Sequence, residues 1–166
     1  MNFQFYYEKL INSEEYQNFF REHPGAFPCS GFFVLDKEKN ENKIHFDFWL
    51  PQDEKMYSFK LDGKVEFVPV ENFDKRGYEK IGLNYDFNFE DFEEMIVKRK
   101  EVEGIKGKIQ KLLFSLQRLK EKDYLVITVF LSNLALLKVN IDISEKKITS
   151  FEKKSFMDMF KIVKKN

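Results

Sequence analysis

Cys29 is the only thiol in this 166-residue chain, and His23 and His45 are the only imidazoles. A thiol nucleophile needs a base within hydrogen-bond reach. The run His23-Pro24-Gly25-Ala26-Phe27-Pro28-Cys29 can fold back to bring His23 toward Cys29, the arrangement a hydrolase or thiol enzyme would need. No nucleophile signature surrounds the pair. A lone cysteine beside a proline turn is commonly a small buried hydrophobe. The expectation is that Cys29 is structural.

Metal chemistry needs His, Cys or carboxylates clustered at ligand spacing. Two histidines 22 positions apart do not supply it, and a single cysteine excludes both an intrachain disulfide and a multi-cysteine zinc site. The acidic run Asp86 to Glu94 could offer Asp86, Glu90 and Asp91 to a hard cation. It lacks the glycine-containing spacing of a calcium loop, and acidic residues at the start of a helix are already favoured by its dipole. Asp47 followed by Asp62-Gly63-Lys64 has the residue types of a nuclease Asp…Asp-x-Lys site, but the second part falls on a turn. Carboxylates of that kind need a rigid element to hold them. Nucleotide-binding glycine loops and the Gly-x-Ser-x-Gly elbow are absent. No cofactor and no metal are expected.

Surfaces remain. His45, Asp47 and Trp49 alternate along one strand and so share a face. In simple register Phe32, Val34, Met56, Ser58 and Lys60 lie beside them, which makes His45, Asp47, Trp49 and Ser58 a candidate binding patch. The rival arrangement lays the first helix over this face, because its stripe of Tyr16, Phe19 and Phe20 must be buried somewhere; that burial requirement favours the rival. A second surface is basic: Lys98, Arg99, Lys106, Lys153, Lys154 and Lys164. Gathered on one side, these would neutralise phosphates of a nucleic acid.

The charge is zero overall but uneven. Residues 1–96 hold 11 Lys+Arg against 20 Asp+Glu, and residues 97–166 hold 17 against 8. Interleaving of the two halves on one folded surface is the plain reading of that asymmetry. Lys outnumbers Arg 24 to 4 and there are two Ala, a bias that AT-rich coding explains. The N-terminal residues lack the charged start and apolar run of a signal peptide, so cytoplasmic localisation is expected.

The elements that must position these residues centre on 124–142. That stretch is uncharged from Tyr124 to Leu137 and rich in strand-forming residues. It reads as two antiparallel strands, 124–131 and 134–143, turning at Ser132-Asn133. It is too short for a membrane helix, which needs ~20 residues, so no integral membrane association is expected. Upstream, Asn12 and Glu15 suggest a capping box for a first helix that His23-Pro24 ends. Strands are predicted at 31–36, 43–50, 55–61 and 65–70, the last pair joined by Asp62-Gly63. Apolar residues from Phe89 to Leu119 recur at mostly helical spacing. Straight, that helix would run about 48 Å, more than the ~40 Å of a domain this size, so a kink at Gly104 and Gly107 is expected. A strand at 147–152 and a short helix capped by Ser155 complete the chain.

The predicted fold is α+β in the order α-ββββ-α-βββ-α, with a curved antiparallel sheet of about seven strands packed on the long helix. It forms one domain over 1–166 with a weak seam at 71–88. That element order resembles small dimeric secretion chaperones, a likeness of fold that carries no residues across. The functional expectation is a small, non-enzymatic protein-binding or adaptor module, chaperone-like, and a homodimer through Ile105, Ile109, Leu112 and Leu116. A nucleic-acid-associated protein using the basic half is the alternative, followed by a thiol enzyme at Cys29.

Overall fold

The computed structural model describes residues 1–71 and 77–155. In chain order the elements are α1 (Phe3–Ile11), α2 (Glu14–Glu22), β1 (Phe27–Asp36), β2 (Lys43–Leu50), β3 (Lys55–Lys60), β4 (Glu66–Val70), α3 (Phe89–Val102), β5 (Ile109–Leu119), β6 (Lys122–Leu131), β7 (Ala135–Asp142) and β8 (Lys147–Ser155). The strands form an eight-stranded sheet in the order β4-β3-β2-β1-β5-β6-β7-β8, antiparallel at every junction. This corrects the predicted order: there is a helix before Asn12, the central helix is short, and a further strand follows it. The short helix expected after Ser155, and Lys164 with it, lie outside the described residues.

The predicted long helix fails at two glycines. α3 ends with Gly104 at φ +65, a left-handed conformation that costs a side chain more than glycine. Gly104 N–H donates to Glu101 O and Ile105 N–H to Lys100 O, both at 3.0 Å, the paired bonds of a Schellman cap. Gly107 follows at φ +99, and the chain then enters β5 instead of a second helical arm. β5 contains Leu112, Phe114 and Leu116 at strand period, all fully buried, alternating with Leu113, Ser115 and Gln117. A bulge between Ile109 and Lys111 shifts the alternation by one, so Ile109 also reaches the core side. That shift is why Ile109, Leu112 and Leu116 mimic helical spacing.

α1 was missed because its apolar and polar residues alternate irregularly. Asn2 caps it, its side chain accepting from Phe5 N–H at 2.9 Å. Ser13, not Asn12, caps α2, accepting from Tyr16 N–H at 3.2 Å. Phe3 is fully buried and its ring meets those of Phe33, Phe46, Tyr85, Phe87 and Phe89. All three helices pack on one face of the sheet. Their Phe3, Leu10, Phe19, Phe89, Phe92 and Ile96 join Phe33, Phe46, Phe59, Phe114, Ile127 and Val139 in one core.

Each half of the sheet is a four-stranded meander preceded by a helix. Corresponding strands begin 79 to 82 residues apart: 27 and 109, 43 and 122, 55 and 135, 66 and 147. The halves meet where β1 pairs antiparallel with β5, Phe33 opposite Phe114. An antiparallel junction between equivalent strands is a local two-fold, so the chain has an approximate internal dyad between β1 and β5. Residues 77–88 connect the halves. Ile81 and Leu83 are buried in the core, and Ile81 N–H donates to Pro28 O at 3.0 Å.

Candidate functional site: the uncovered sheet face

No helix lies on the opposite face among the described residues. Cross-strand register fixes what that face presents. One row runs Lys60, His45, Phe32, Ser115, Val126, and the next runs Lys43, Val34, Leu113, Thr128, Lys138. At the end of the sheet Lys111, Phe130, Leu136 and Lys154 follow. Antiparallel sheets often leave one face to water, with polar residues there. Here the middle of that face is apolar instead. Val34 is only 6% exposed and Leu136 3%, and both stand outside the main core cluster.

Two shallow hollows indent this face. The first, of about 510 Å³, has Phe32, Val34, Leu113 and Phe130 as its floor and Lys43 and Lys111 at its rim. The second, of about 550 Å³, brings Ser30, His45, Asp47, Ser58 and Lys60 together beside Val68 and Val70 of β4. Phe32 borders both. So three of the four predicted patch residues, His45, Asp47 and Ser58, do converge. Trp49 does not join them. It is 8% exposed and packs on Tyr78 of the connecting segment, ring centroids 4.9 Å apart.

The expectation that the first helix covers this face is corrected. The stripe of α2 packs on the core side: Tyr16 and Phe20 meet Phe48, and Phe19 meets Phe59 and Tyr57. Strand alternation is the reason, since Phe48 and Phe59 point away from Asp47 and Ser58.

The polar groups of the second hollow are held from behind. Ser30 Oγ donates to Asp47 Oδ2 at 2.7 Å. His45 Nε2 is buried without a hydrogen bond, 3.7 Å from Asp62 Oδ2, and the other oxygen of Asp62 accepts from Ile44 N–H at 2.8 Å. The imidazole therefore faces a carboxylate fixed at the turn after β3, which would form an ion pair with it on protonation.

Cys29 does not meet His23. Its Sγ lies 3.5 Å from the Asp47 carbonyl, and burial, aided by the Asp47 charge, pushes the thiol pKa up to about 12. The His23 ring stacks on Tyr57 and packs against Phe19. A nucleophilic thiol needs the opposite shift. Three of the five carboxylates of 86–94 are engaged structurally: Asp86 accepts from Asn2 Nδ2, Glu90 pairs with the amino group of Met1, and Glu93 pairs with Lys37 at 2.7 Å. No group of three or more potential ligands that could hold a metal occurs among the described residues.

The described basic residues differ in their surroundings. Lys98 and Lys106 are exposed, whereas Arg99 bridges Glu103 at 2.7 Å and lies over the Phe151 ring. Lys153 and Lys154 are successive strand residues and so project from opposite sides of β8; Lys154 pairs with Glu152 at 3.6 Å. Of the self-association residues, Leu112 and Leu116 are fully buried, and Ile105 and Ile109 pack against the core. The predicted helical stripe of these four residues is therefore not free for a partner. Sequence reasoning missed Leu113 and Ser115 as face residues because β5 was read as helix, which also left Phe130 of β6 without its neighbour on that face; the alternation from Lys111 to Gln117 was the available signal.

No protein-family model matches the sequence, and no curated protein matches it. A solved structure does. The crystal structure of a candidate lipoprotein from Clostridium difficile 630 superposes with a TM-score of 0.56 at 15% identity, over 85% of this chain and 91% of that one. At that identity the likeness is one of fold alone. No helix among the described residues is long and apolar enough to cross a membrane.

Proposed function

We propose that this protein is a non-enzymatic protein-binding module whose binding surface is the uncovered sheet face. The observation that carries the reading is the apolar floor of Phe32, Leu113 and Phe130 on a face that no helix among the described residues covers, bordered by polar side chains of both signs. Apolar centres with polar rims characterise protein interfaces. The buried, high-pKa thiol of Cys29 argues against thiol catalysis, and the pairing of Arg99 with Glu103 and of Lys154 with Glu152 argues against a phosphate-binding track. Placement in the cytoplasm belongs to the same proposal.

The test is capture from native lysate by wild-type protein and by a Phe130→Glu variant, each with and without nuclease. A protein retained after nuclease by the wild type and lost by the folded variant supports the reading. Retention that nuclease abolishes, or that the variant leaves intact, overturns it.

A further inference from the structure

We propose that the second hollow binds a small dipolar molecule, an α-amino acid with an apolar side chain, its carboxylate on Lys60 and Ser58 and its ammonium on Asp47. This site goes beyond the protein-binding reading. Phe130, on which that reading is tested, is no part of its lining, so the two stand or fall separately.

Strand register builds the site. Ser30, Asp47 and Ser58 form one row across β1, β2 and β3, and Phe32, His45 and Lys60 form the next. All six line the hollow. Ser58 is the residue that calls for an occupant. It is 4% exposed, yet its hydroxyl forms no hydrogen bond among the described residues. A strand position so buried favours an apolar or β-branched side chain, and a hydroxyl buried without a partner lowers stability. Buried polar groups that lack a protein partner mark places where a water or a ligand completes the bond.

The charges of the hollow name the ligand. Asp47 Oδ2 accepts from Ser30 Oγ, which leaves Oδ1 without a partner among the described residues. Lys60 Nζ forms no ion pair there either. Glu66, opposite Lys60 in register, is exposed and does not line the hollow, and Glu71 is exposed to water at its mouth. Asp47 and Lys60 are diagonal neighbours in the ladder, about 7–8 Å apart at the backbone, and do not pair with each other. A purely anionic ligand meets the like charge of Asp47, and a purely cationic one that of Lys60. A neutral polyol leaves both charges uncompensated. A dipolar molecule neutralises both. Phe32, Val68 and Val70 offer its side chain an apolar wall. Apolar walls with a few placed polar groups characterise small-molecule sites, and the volume of about 550 Å³ is of their size.

The test is an amide NMR titration of the full chain with L-leucine up to about 10 mM, which detects millimolar and tighter binding. Saturable shifts are expected at Asp47, Ser58 and Lys60. N-acetyl-leucine, which lacks the ammonium, and leucinamide, which lacks the carboxylate, should each bind at least ~tenfold more weakly, since each loses a charge-assisted hydrogen bond. Ser58→Ala removes an unpartnered hydroxyl, so it should fold as stably as the wild type and bind leucine at least ~threefold more weakly. Asp47→Asn should abolish the preference for leucine over N-acetyl-leucine. An absence of shifts overturns the proposal and leaves the Ser58 hydroxyl to water. Glucose or inorganic phosphate binding as tightly as leucine overturns it too, as does a leucine affinity that Ser58→Ala and Asp47→Asn leave unchanged.

Discussion

Asp36 shows how much of the ionic structure of this protein is local. Its buried carboxylate ends β1, accepting from Glu38 and Lys39 N–H at 3.1 and 2.9 Å and pairing with Lys111 Nζ at 2.8 Å. The Lys111 hydrogen bond, followed by the backbone donors, lowers its pKa to about 2. A depressed folded-state pKa stabilises at pH values above the unfolded value of ~3.9. That contribution fades as pH falls from there through about 2. Asp36→Asn should therefore lower the melting temperature near neutrality, and the gap between variant and wild type should close as the solution is acidified through that window. Parallel melting curves at every pH would contradict the role. The same pair links the first half to the second, so part of the charge asymmetry of the sequence is neutralised where β1 meets β5.

At the scale of elements, the decisive step is the end of α3. Gly104 has open space around a built Cβ, so the cost of a side chain there is purely conformational. Gly104→Ala should destabilise the fold by about 1 kcal/mol, the penalty for a left-handed non-glycine residue. Urea denaturation measures it, and a stability equal to wild type would show that the cap is dispensable. Gly107 is more demanding, since a Cβ would lie 2.8 Å from Asn133 Oδ1. The paired turns 104–107 and 132–134 are thus fitted to each other: Lys108 N–H donates to Ser132 Oγ, and Asn133 Nδ2 donates to Lys106 O.

Over the whole molecule, the connection between halves is pinned by one buried acid. Asp123 Oδ2 accepts from Gly82 N–H and from the Tyr85 hydroxyl, both at 2.7 Å, and its Oδ1 from Arg118 at 3.1 Å. Burial and the Asp123 contact raise the Tyr85 pKa, so the phenol stays protonated and donates. Asp123→Ala leaves these donors without their acceptor, at an expected cost of about 3 kcal/mol. Hydrogen exchange at Gly82 should accelerate in the variant. Exchange unchanged at Gly82 with a normal denaturation midpoint would mean that the segment is held by Ile81 and Leu83 alone.

Much of the fold could be read locally. The alternation from Ile44 to Leu50, the Asp62-Gly63 turn and the uncharged 124–142 hairpin each encode a strand through nearest neighbours. So β2, β3, β6 and β7 fall within two residues of their expected limits. What local pattern could not decide was β5, whose Ile109, Leu112 and Leu116 fit a helix as well as a bulged strand. Only pairing with β1 on one side and β6 on the other resolves that ambiguity, because strand hydrogen bonds are made with distant chain. The candidate site divides in the same way. That His45 and Asp47 share a face follows from the period of a strand. That α2 covers the other face, that Trp49 is sealed by Tyr78, and that Leu113 and Phe130 complete the floor all depend on which surfaces meet in space, and chain order alone does not specify those meetings.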